Sequence, residues 1–91
     1  MTSISVTSPV ERVARVIAAE AISINGGGQD FSAGSEVDAA WRGELNRAIA
    51  VLRTLREPTP DMVEAGRAAG SEPAEIWNAM MRAAISQEAT I

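Results

Sequence analysis

The sequence predicts an all-α fold, a small four-helix domain with a long central helix that we expect to be oligomeric. Apolar residues recur every three or four positions in four segments, which is the helical period. Residues that begin and end helices, namely Ser, Thr, Pro and Gly, separate these segments. The 91 residues are 46% apolar and 22% charged, which suits one small hydrophobic core. We therefore expect residues 1–91 to form a single helical domain.

The first helix is predicted over about residues 9–24, after an extended arm of residues 1–7. Ser8 precedes Pro9, and Glu11 lies three residues after Ser8, so the hydroxyl and the carboxylate can each bind a free backbone N–H. The run 26–28 of three glycines then ends the helix. The apolar stripe of this helix consists of Val10, Val13, Ala14, Ile17, Ala21 and Ile24.

A glycine-rich loop is predicted over residues 25–35 and a second helix over about residues 36–56. Ser35 is a helix-capping residue type, and Asp38 follows it by three positions. At 100° per residue the apolar side chains of the helix fall within roughly 120°. We expect this helix, near 30 Å long at about 1.5 Å per residue, to be the spine of the domain. Its apolar face consists of Val37, Trp41, Leu45, Ala48, Val51, Leu52 and Leu55.

The third and fourth helices are predicted over about residues 60–69 and 73–87. Thr59 and Pro60 begin the third, Gly70 ends it, and Pro73 begins the fourth. The apolar residues of the fourth helix span about 180°, which is wider than the ~100° stripe of a helix on one edge of a core. We therefore expect the fourth helix to be covered from two directions.

The composition excludes several classes of active site. The chain has no Lys, His or Cys, so it lacks a thiol nucleophile, an imidazole base and the usual zinc ligands. Its formal charge of −4 does not favour binding to nucleic acid. The segment 1–9 lacks the basic residues of a signal peptide, and no apolar run approaches the ~20 residues of a membrane span. We expect a cytoplasmic protein with no DNA and no membrane partner.

No catalytic motif emerges from the chain. The run 26–28 lacks the lysine of a phosphate-binding loop and no strand precedes it, so we interpret it as an interhelical loop. The acidic residues lie mostly at predicted helix starts, where they complement the helix dipole. The last two helices resemble a helix-turn-helix in spacing but offer few groups to read bases. We therefore predict no enzyme activity, no cofactor and no metal site.

One polar face of the second helix is a candidate ligand-binding surface. Arg42, Asn46 and Arg53 lie within about 40° of one another on a straight helix, and Arg56 stands roughly 60° from Arg53. Guanidinium groups bind phosphate in a two-pronged fashion, so these residues suit an anionic nucleotide. The alternative is a solvated helix face that pairs locally with acids.

The fourth helix carries a candidate interface. Trp and Met are frequent in protein interfaces, and Met adapts to irregular surfaces. We assign Trp77 and Met80 to the core, and predict that Met81 and Ile85, with part of Trp77, line a contact within a homo-oligomer or a groove for a partner.

The second half of the chain carries a distinctive sequence pattern, LREPT…MVxAG…IWxAM…AA, over residues 52–66 (LRTLREPTPDMVEAG) and 75–85 (EIWNAMMRAAI). In this pattern the chain resembles a group of small uncharacterised proteins of alphaproteobacteria and their phages. The resemblance implies a phage or prophage accessory protein and implies no activity. By analogy with that setting, we expect a non-enzymatic protein that blocks a host-defence protein or sequesters its nucleotide signal. The alternative is a phage assembly protein that acts through helix–helix oligomerisation.

Overall fold

The structure, a computed structural model, describes residues 4–24 and 30–87. Over these two ranges it contains helices and no β-strand, which confirms the all-α prediction. None of the described helices is long and apolar enough to cross a lipid bilayer. The helices are α1 (Pro9–Ile24), α2 (Asp30–Ala40), a 3-10 turn (Trp41–Glu44), α3 (Leu45–Thr54), α4 (Pro60–Ala68) and α5 (Pro73–Ser86).

The first helix begins where its capping residues predict. The Ser8 hydroxyl accepts the backbone N–H of Glu11 at 3.1 Å. The Glu11 carboxylate does not complete the predicted reciprocal bond and instead pairs with Arg15 at 2.8 Å. Half of the capping box is therefore confirmed, and the acid belongs to an ion pair one helical turn further on.

The prediction for residues 25–56 is only partly correct. Residues 25–29 lie outside the described part of the chain, but residues 30–35 are helical, so the loop is wrong there and Ser35 does not begin a helix. The apolar residues of α2 do not gather on one face, so periodicity could not reveal this helix. Gly34 lies inside α2, where glycine lowers helix stability by about 1 kcal/mol without ending the helix.

The long second helix is interrupted by the 3-10 turn. Ala40, which precedes the turn, and Glu44, the last residue of the turn, have φ of −102° and −103°. Gly43 lowers the helix propensity of this stretch, and the ring of Trp41 stacks with Arg15 of α1. A 3-10 turn advances about 120° per residue against 100° in an α-helix, so residues before and after the turn do not continue one face. The predicted uninterrupted spine is therefore replaced by two shorter helices.

The chain divides into two compact units, residues 6–56 and residues 57–91, the second of which also includes residues 1–5. In the unit of residues 6–56, α1 packs against α2, the 3-10 turn and α3. Among the residues of this unit whose burial the structure describes, Ala14 and Ala18 of α1 and Ala48 of α3 are fully buried. Because alanine is small, these positions let the helix backbones approach closely.

In the unit of residues 57–91, α4 packs against α5. Thr59 caps α4 by accepting the Met62 N–H on its hydroxyl, and the Thr59 N–H donates to the Met62 sulfur, each at 3.4 Å. At the far end Gly70 adopts φ +103°, which only glycine adopts readily. Gln87 bonds to Thr59 at 3.2 Å and ties the end of α5 to the start of α4.

The contact between α4 and α5 depends on Gly66. A Cβ atom at this position would lie 2.8 Å from Met80 Cγ and 3.2 Å from Ile76 Cγ2. Both distances are shorter than ordinary van der Waals contact, so the two side chains occupy the space that a larger residue needs. Gly66 therefore sets how closely α5 approaches α4.

We expect Gly66→Ala to lower the free energy of unfolding by about 1–2 kcal/mol, because overlap with Met80 outweighs the gain in helix propensity. Urea denaturation followed by circular dichroism measures the change. Gly34→Ala is the matched control, since nothing except the adjacent residues and the backbone of α2 itself lies within 4 Å of its new Cβ. This control should raise stability by about 0.5–1 kcal/mol. Equal stabilisation by both substitutions would contradict the close contact.

Candidate binding surfaces

One apolar face of α5 is exposed. Trp77 and Ile85 are 57% and 65% exposed, and the half-buried Met81 lies between them in the chain. Residues four apart lie in one row along a helix surface. The structure therefore brings the three predicted interface residues together, and we call Trp77, Met81 and Ile85 the α5 ridge.

The ridge is exposed because α4 is short and its contact face is narrow. Its buried residues are Met62 and Gly66, and Gly66 contacts Ile76 and Met80 of α5. At 100° per residue the centre of the ridge lies roughly 120° around α5 from the midpoint between Ile76 and Met80, the two residues that face α4. The assignment of Trp77 to the core is therefore wrong, whereas Met80 does pack inside its unit.

A second surface feature, which the sequence analysis missed, surrounds Trp41. The guanidinium carbon of Arg42 lies 4.5 Å from the centre of the Trp41 ring, and that of Arg15 lies 5.2 Å from it. Both distances are within the range of a cation–π interaction. Arg15 comes from α1 and Trp41 from the 3-10 turn, so the interaction joins two elements of one unit.

Arg15 is also held by two carboxylates. Its Nη1 atom lies 2.7 Å from Asp38 of α2, and its Nε atom lies 2.8 Å from Glu11. The hydrogen bond to Asp38, followed by that to Glu11, raises the pKa of Arg15 above its ordinary value. The spacing of Glu11 and Arg15 was visible in the sequence, but the contact with Asp38 depends on how α2 packs.

The predicted ligand-binding residues do not share one continuous helix face. Arg42 lies in the 3-10 turn and stacks on Trp41, while Asn46 and Arg53 lie in α3. Arg56 follows the end of α3, and all four side chains are exposed. Since the 3-10 turn changes the rotation between Arg42 and Asn46, the arc of about 40° that a straight helix gives does not apply.

Arg53 and Arg56 are the two arginines of this set whose guanidinium groups have no ion-pair partner and no stacked aromatic ring within the described ranges. Neither forms an ion pair within the described ranges, where the cations in ion pairs are Arg15, Arg47 and Arg67. Arg53 lies in the last turn of α3, where a cation complements the partial negative charge of the helix end. That negative charge disfavours an anionic ligand at the same place.

The residues that the structure describes include no group of three or more acidic side chains placed to hold a metal ion. Comparisons with protein-family models, with curated proteins and with solved structures found no match to this chain. The resemblance to phage proteins therefore stays a prediction.

Proposed function

We propose that this protein is a non-enzymatic binding protein that docks the α5 ridge against an apolar helix of another protein molecule. The observation that carries the proposal is the exposure of Trp77 and Ile85, 57% and 65%, in one row with Met81. Removing exposed apolar surface from water is the main driving force of protein association. Trp is also one of the residue types enriched among the hot spots, the few residues that contribute most of the binding energy of an interface.

The geometry of the ridge suits a helix as its occupant. A row of side chains four residues apart packs into the groove between the corresponding rows of a second helix. In the setting that the phage resemblance implies, the occupant belongs to a host-defence protein or to a phage assembly in the cytoplasm. We propose no reaction for the chain, because its sequence lacks the Lys, His and Cys side chains that most often act as nucleophiles and bases.

A photo-crosslinking experiment in the natural host tests this proposal. We replace Ile85 with p-benzoylphenylalanine, irradiate the cells, and identify the adducts of the full chain by mass spectrometry. We expect an adduct with a protein, because Ile85 lies on the docking surface. The adduct should be lost when Trp77→Gln is added, since this change removes a neighbouring contact of the ridge.

The matched control places the same crosslinker at Arg67, an exposed position of α4 outside the ridge. Adducts that form equally from both positions, or that form from neither, would contradict docking through the ridge. An adduct with the same chain or with a different protein both fit the proposed function, and the identity of the adduct separates the two.

Sequestration of an anionic nucleotide is a second candidate function. Its support is the exposure of Arg53 and Arg56 and the absence of any ion pair to either within the described ranges. The negative helix end beside Arg53 weakens this candidate relative to protein binding. Arg42 and Asn46 belong to it only if a ligand spans the 3-10 turn and α3.

Thermal unfolding in the presence of cyclic and linear nucleotides measures this activity. A ligand at about 100 times its dissociation constant stabilises the folded state by about 2.7 kcal/mol, which should raise the melting temperature by several degrees. Arg53→Ala should abolish the shift, whereas Arg67→Ala should leave it unchanged. A screen with no shift for any nucleotide would eliminate the candidate.

A further inference from the structure

The outward face of α5 carries the spacing of a two-helix seam. Three apolar residues and one asparagine recur along it at intervals of four, three and four positions, which is the repeat of helices that pair side by side. Charged residues lie along one flank of this row, and the ridge residue Trp77 lies on the other. The seam consists of Ala74, Asn78, Met81 and Ile85, the charged flank of Glu75 and Arg82, and the opposite flank of Trp77 and Ala84.

We propose that α5 pairs in antiparallel orientation with α5 of a second copy of this chain, with Glu75 of each copy against Arg82 of the other. The inference rests on the proposed function and deepens it, because it names the helix that occupies the ridge. The homo-oligomer expected from the sequence is then a dimer at this surface.

The charges of α5 favour the antiparallel orientation. Glu75 and Arg82 are exposed, and neither forms an ion pair within the described ranges. They are seven residues apart, so they lie on the same flank of the helix about two turns from each other. An antiparallel pair brings the charged flanks of the two helices together, so unlike charges meet at both ends of the seam, whereas a parallel pair would place each charged flank beside the flank of Trp77 and Ala84 of the other copy. Flanking charges of this kind set the orientation of paired helices.

The sizes of the seam residues fit one antiparallel register, in which Asn78 lies opposite Met81 of the second copy. Because the two helices run in opposite directions, Ala74 then lies opposite Ile85 of the second copy. In this register Trp77 approaches Ala84 of the second copy across the opposite flank. Large side chains therefore meet small ones at both ends, which is the arrangement that fills a helix interface without voids.

The interface is short, so we expect a weak dimer. Residues 74–85 span about 18 Å at 1.5 Å per residue. An interface of this length falls at the small end of specific protein contacts, which are typically transient. We expect a dissociation constant in the range of about 1 to 100 μM.

Sedimentation equilibrium of the purified full chain tests the proposal with a charge-reversal series. We expect a monomer–dimer equilibrium for the native sequence. Glu75→Arg or Arg82→Glu alone should weaken the dimer about tenfold, because each creates two like-charge contacts by symmetry. The double variant Glu75→Arg/Arg82→Glu should restore the native dissociation constant. Circular dichroism of each variant verifies that the helices are retained.

The control reverses Glu64 and Arg67 of α4, whose side chains are 71% and 70% exposed and lie outside the seam. This reversal should leave the dimer unchanged. A chain that stays monomeric at about 500 μM overturns the proposal, since that concentration is above the expected range. A dimer that ignores the single reversals, or that the double variant does not restore, overturns it as well. If the protein is monomeric and the Ile85 crosslinker captures a different protein, the proposed function stands and this inference fails.

Discussion

The close contact at Gly66 is the constraint on which the candidate surface depends. The glycine lets Ile76 and Met80 of α5 lie directly against α4, with Met80 Cγ only 2.8 Å from where a Cβ would stand. This contact fixes which side of α5 is turned toward α4. Because α4 is short and its contact face is narrow, it covers that side only and leaves the ridge of Trp77, Met81 and Ile85 exposed. An apolar face that its own unit leaves uncovered is the physical basis for binding.

Helix boundaries were predictable where a residue type dictates backbone geometry. Pro9, Pro60 and Pro73 each begin a helix as expected, and Gly70 ends α4 with a positive φ. The start of α2 was not predictable, because its apolar residues do not gather on one face. The 3-10 turn also escaped prediction, since it involves contact between Trp41 and a helix distant in the sequence.

The two candidate surfaces differ in how far the sequence could reveal them. The wide apolar arc of α5 indicated that one neighbour could not cover it, so the ridge was predicted even though Trp77 was assigned to the core. The arginine surface assumed one straight helix, and the 3-10 turn between Arg42 and Asn46 removes that assumption. The network of Arg15 with Asp38 and Trp41 could not be predicted, because it depends on the packing of α1 against α2 and the turn.

The most direct test of this account compares the two faces of α5 in dilute protein, where association is negligible. Met80→Gln and Ile85→Gln make a similar chemical change on opposite sides of the helix, and urea denaturation gives the free energy of unfolding of each. We expect Met80→Gln to lose about 2 kcal/mol or more, because Met80 packs against Gly66. Ile85→Gln should stay within about 0.5 kcal/mol of the native chain, as exposed positions do. Equal losses for the two variants would show that Ile85 belongs to the protein's own core and would contradict the account.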